Sequence, residues 1–148
     1  MEANYVLESH HISGHLGFLK EGNAYLKTVC NAHKRPEVFS PEIVFNLLSM
    51  SIEKLMMSIL MYSGCLPDNH TFHDLANAYH AVDVLEPEMK TLLLSLDSHN
   101  NLCSMDAFKQ IIPNEETLQT FLELAKRFQA IAMERMGDAL ALDPTAKV

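Results

Sequence analysis

"SPEIVFNLLSMSIEKLMMSILMYSG", residues 40–64, decides the fold class. It opens with the local chemistry of a helix start: Ser40 suits an N-cap, Pro41 the first helical position, and Glu42 the positive end of the helix dipole. From there the apolar residues recur at three- and four-residue spacings rather than alternating, which predicts one long helix to about Ser63-Gly64. That helix is apolar on two faces. Val44, Leu48, Ile52, Leu55, Ile59 and Tyr62 make one; Ile43, Leu47, Met50, Met57 and Met61 make the other. Such a helix is either central in its own bundle or shared with a second subunit. Its length would also admit a membrane span, but Glu53 and Lys54 at its centre make that placement expensive, and no membrane partner is expected.

Outward from this segment the helical period recurs and strand signals do not. Ile12, Leu16, Leu19, Leu26, Val29 and Cys30 predict a first helix over about 11–33, weakened by Gly14, Gly17 and Gly22. Those glycines imply either a frayed first half or a close helix contact, and fraying is the expectation. Lys34-Arg35-Pro36 ends this helix. After Leu66-Pro67-Asp68-Asn69 a third helix runs to about Val82, and Pro87 starts a fourth over roughly 86–97, with Met89, Leu92, Leu93 and Leu96 inward. "DSHNN", 97–101, is expected to break it. A helical turn around Met105 to Gln110 and a final helix from Pro113 to about Leu140 complete the chain, the last burying Leu118, Phe121, Leu122, Ala125, Phe128 and Ala132. The expectation is all-α: a single domain over 1–148, an antiparallel bundle of four to five helices, with 1–10 and 141–148 as loose ends.

Composition agrees with a folded domain: 148 residues, 48% hydrophobic and 20% charged, are enough for one core. Eleven basic against nineteen acidic residues give a net charge of −8, which disfavours non-specific binding to nucleic acid or anionic membranes through bulk charge. The N-terminus lacks the basic and apolar regions of a signal peptide. Cys30, Cys65 and Cys103 are widely spaced and odd in number, so buried reduced thiols in a cytoplasmic protein are expected.

Chemistry concentrates in "HTFHDLANAYH", residues 70–80. His73 and His80 stand roughly 10 Å apart along a helix and cannot share an ion. His11 and His15 have i, i+4 spacing but nothing like HExxH beside them. No metal or other cofactor is therefore expected, and the histidines of 70–80 are expected to face solvent or hydrogen-bond. Thr71-Phe72-His73-Asp74 fits a capping box, Thr71 accepting from the Asp74 amide and Asp74 reaching back to the Thr71 amide.

"SIEKLMMSILMYSG", 51–64, followed by "LPDNHTFHDL", 66–75, resembles the HEPN family of small helical domains. The matching features are the Glu53-Lys54 pair, Gly64, Pro67, and Thr71-Phe72-His73-Asp74-Leu75, with Phe72 an insertion relative to the tightest form of that signature. The resemblance implies a dimeric bundle that works beside a nucleotide, RNA or a small nucleotidyltransferase, in toxin-antitoxin or defence pairs. It also implies that Glu53, Lys54, His73 and Asp74 lie together where the second and third helices meet, as ligand-binding residues or as a buried cluster fixing register. The family's Arg-x4-6-His ribonuclease motif is absent after Arg35, Arg127 and Arg135, so the expectation is a non-catalytic binding domain, with no catalytic residues assigned. The alternatives are a divergent ribonuclease using His73 or His80, and a structural adaptor for another protein.

Overall fold

A computed structural model describes residues 11–105 and 113–143, and the side chains of 99–105 lie outside that description. Five α-helices follow one another: α1 (His15–Asn31), α2 (Pro41–Tyr62), α3 (Phe72–Tyr79), α4 (Pro87–Met105) and α5 (Glu115–Leu142), with a 3-10 turn at Ala32–Lys34. No strand occurs among the described residues. The chain is all-α, its five helices packed together.

α2 begins as its sequence dictates. The Ser40 hydroxyl accepts from the Ile43 amide at 3.4 Å, Pro41 opens the helix, and Glu42 sits in the first turn. It ends where Gly64 donates to the Met61 carbonyl and Cys65 to that of Leu60, satisfying carbonyls the helix cannot. Between these ends α2 is the centre of the bundle. It packs on α1, α5 and α3, and Leu48, Ile52, Leu55, Met56, Ile59 and Leu60 are completely buried. Each such side chain contributes about 1.5–3 kcal/mol of burial.

Both apolar faces of α2 are used, unequally along their length. Met57 and Met61 of the second face are 4% and 6% exposed within the chain's own core, whereas Ile43 and Met50 remain 43% and 39% exposed. Only the N-terminal half of that face is therefore open to a second subunit. α2 is long and apolar enough to cross a membrane by length and composition, but most of it is buried inside the bundle.

α1 shows what its glycines do. The helix begins at His15 rather than His11, because Gly14 takes a left-handed conformation, φ +99°, and turns the chain. Gly22 does not fray the helix as expected: it is buried against α2. A Cβ there would meet Leu55 Cγ at 2.8 Å, and the buried Ser51 hydroxyl donates to the Gly22 carbonyl at 2.9 Å. The two backbones approach closely because no side chain separates them.

α4 is longer than expected, running through Asp97–Asn101 to Met105. Aspartate breaks helices by bonding its own backbone, but the Asp97 carboxylate is occupied elsewhere, by the Phe72 and His73 amides at 2.9 and 2.8 Å. The helical turn expected beyond Met105 lies outside the described residues, as do 1–10 and 144–148. At the other end α5 starts from an Asn114 cap that accepts the Thr117 amide at 2.8 Å, and it continues two residues past Leu140. Leu124 and Met136 join its expected buried set, while Leu118 and Leu122 are only partly buried. The buried residues of all five helices form one cluster.

Candidate functional site

The four residues singled out by the sequence occupy the rim where α2, α3 and the loop between them meet, and they separate into three sets of contacts. Lys54 points toward α1, its ammonium 3.4 Å from a Glu21 carboxylate oxygen and 4.8 Å above the Phe18 ring. Glu53 points toward the loop, where Oε1 lies 3.3 Å from His70 Nδ1. His73 and Asp74 face each other at the start of α3, Nδ1 to Oδ1 3.5 Å, with the Asn77 amide nitrogen 3.4 Å from the same imidazole nitrogen. Among the described residues no ion pair or hydrogen bond links Glu53 or Lys54 to His73 or Asp74.

Nor is the group buried. The side chains of Glu53, Lys54 and Asp74 are 29%, 26% and 22% exposed, and that of His73 is 61% exposed. Ion pairs this open contribute little to stability. A buried polar cluster that fixes helix register is thus not what these residues form.

The start of α3 is built differently from the expected reciprocal box. Thr71 Oγ1 accepts from the Asp74 amide at 3.1 Å, as anticipated. The return bond from the Thr71 amide to Asp74 does not form among the described residues. The next two orphan amides, of Phe72 and His73, are instead captured by the two carboxylate oxygens of Asp97 on α4. The Asp74 carboxyl is held below the usual carboxylate range, first by hydrogen bonding from Asn69, then from Thr71, with His73 adding to this against partial desolvation. His70, His73 and His80 all face solvent, in line with the expectation for this stretch.

Asp97 was hidden from sequence reasoning because the bond it makes spans 24 residues and follows no local motif. A second feature was equally hidden: an apolar groove of about 350 Å³ between the end of α1 and the starts of α2 and α5. Val29, Phe39, Val44, Leu118 and Leu122 line it, with Cys30 and His33 on the α1 side. Cys30 is exposed and Cys65 half-buried, so the expectation of buried thiols fails for Cys30; Cys103 lies outside the described side chains. Cys30 sits one position beyond the buried stripe of Leu19, Gly22, Leu26 and Val29, which rotates it out of the core.

Among the described residues no group of three or more His, Cys, Asp or Glu is placed to hold a metal ion. Comparison of the chain with protein-family models, with curated proteins and with solved structures found no match.

Proposed function

We propose that this chain is a non-catalytic, HEPN-like binding domain of the cytoplasm whose ligand is another protein, and that the partner is a small nucleotidyltransferase, as the resemblance implies. The observation that supports it most directly is the charge of the rim. Lys54 is neutralised by Glu21, while Glu53 and Asp74 face only imidazoles and neutral donors, so the surface presents carboxylates on a chain of net charge −8. Phosphates of a free nucleotide or RNA would meet like charge there, whereas a basic patch on a protein would find its complement. A toxin-antitoxin or defence pair is the setting in which such a domain would act.

Gentle purification from the native cell tests this proposal. A nucleotidyltransferase identified by mass spectrometry should accompany the chain in equal amount and be lost on Glu53→Lys. A partner retained by a folded Glu53→Lys protein overturns the rim as the contact surface.

The second reading is direct nucleotide or RNA binding, favoured by the exposed imidazoles of His70 and His73 and by the partial exposure of Lys54. With no tryptophan in the chain, a bound nucleotide would raise the 260 nm absorbance plainly. A divergent ribonuclease working through His73 or His80 would show RNA cleavage that is lost in His73→Ala or His80→Ala.

A further inference from the structure

The N-terminal side of α1 carries a ring cluster that the proposed function does not use. Gly14 turns the chain so that His11 and Ile12 run back along the end of α2, where the Ile12 amide donates to the Met61 carbonyl at 2.8 Å. His11 stacks on Tyr62 with ring centroids 4.2 Å apart, and His15 lies 5.9 Å from the same ring. The two imidazoles lie 5.4 Å apart between centroids, with their planes tilted by 42°.

Each imidazole is also oriented through the same nitrogen. His11 Nδ1 is bonded to the Tyr62 carbonyl and His15 Nδ1 to the Ile12 carbonyl at 3.0 Å. A carbonyl oxygen only accepts, so both Nδ1 atoms carry the proton. In the neutral ring Nε2 then keeps its lone pair. An Nδ1–H bonded to a main-chain carbonyl is the outer-shell arrangement that prepares histidine as a metal ligand. Two imidazoles bound end-on to one ion at roughly 2.0–2.1 Å place their centroids about 5 Å apart at a tetrahedral angle.

We infer that His11 and His15 form a two-histidine site for a divalent transition-metal ion of the imidazole-binding class, such as Zn²⁺, Ni²⁺ or Cu²⁺, through Nε2 of each ring. Among the described residues these two are the protein ligands, and water would complete the coordination. No carboxylate among the described residues joins the two imidazoles, which disfavours hard oxygen-seeking ions such as Mg²⁺ and Ca²⁺. The helical spacing of His11 and His15 is not what unites them: His11 precedes α1, and the left-handed turn at Gly14 does the work.

Calorimetric titration of the full chain with NiCl2 and ZnCl2, in a buffer that does not chelate, tests the site. One equivalent should bind, and His11→Gln and His15→Gln should each weaken binding at least tenfold, while His33→Gln and His80→Gln leave it within twofold. Gly14→Ala, which keeps both ligands but disfavours the turn, should also weaken it. A long-range imidazole proton–nitrogen spectrum should show Nδ1-protonated His11 and His15 before metal and perturbed Nε2 signals after. No binding by the native chain, equal binding by the two glutamine variants, or dependence on the neighbouring His10 in their place overturns the assignment.

Discussion

Tyr79 is 1% exposed, packs edge-on against Phe128, and buries a hydroxyl that has no hydrogen-bond partner among the described residues. Burial pushes its ionisation up from the ordinary value, Asp83 adds to the shift, and Arg135 opposes it. A raised folded pKa makes the neutral form the stable one. The associated stability is complete below about pH 10, the unfolded value, and is lost as pH climbs from there through the folded value. Tyr79→Phe should therefore be at least as stable as the native chain at neutral pH, by about 0–1 kcal/mol in urea unfolding, and should lose less above pH 10. Asp74 has the opposite sign. Its folded pKa is depressed, so its contribution holds above about pH 4 and is lost as pH falls through the folded value. Asp74→Asn should flatten the stability profile on the acid side only. At Gly22 the missing Cβ is the structural fact: Gly22→Ala drives a methyl into Leu55 and should lower stability by about 1–3 kcal/mol in the same assay.

At the scale of elements, α3 is the helix that depends most on a neighbour. Its eight residues are too few for independent stability, and two of its first amides are satisfied by Asp97 from α4. Asp97→Ala should cost about 1–2 kcal/mol and speed hydrogen exchange at the Phe72 and His73 amides, with the Ser40-capped start of α2 unaffected. The same contact explains what the sequence could and could not reveal. Ser40, Pro41 and Glu42 announce α2 because cap, first turn and dipole are all local. Thr71 and Asp74 announce α3 for the same reason. The length of α4 was concealed because "DSHNN" carries breaker residues whose effect depends on where Asp97 finds its donors, and those donors are on another helix. Gly22 read as a weakness because its compensation, Leu55 and Ser51, sits on the facing helix. For the candidate site, Glu53 and Lys54 were legible as a polar pair on an apolar helix. Their true partners, His70 and Glu21, were not legible, since neighbouring positions on one helix diverge by about 100° and so reach toward different elements.

For the whole molecule, the open half of the second α2 face limits how two copies could meet. If the dimer that the HEPN resemblance implies forms through this face, Ile43→Asp with Met50→Asp should give a folded monomer by light scattering, because both side chains are about 40% exposed. Met57→Asp should instead unfold the chain, since it would bury an unpaired charge in the core. The five helices are also unequally tied together. α1, α2 and α5 each pack on the other two, whereas α3 packs chiefly on α4 and then on α2. Beyond that apolar contact, Arg135 on Asp83 at 2.7 Å and Arg127 on Glu86 at 3.0 Å tie the edge of the α3–α4 arm to α5, while Asp97 binds α3 to α4 within it. Such an arm is the part expected to open first while the three-helix slab stays closed. His73 and Asp74 would leave with it, and Glu53 and Lys54 would stay behind. A ligand that bridges both sides of the rim would then bind only the closed form, and native-state exchange should show α3 slowing as that ligand is added.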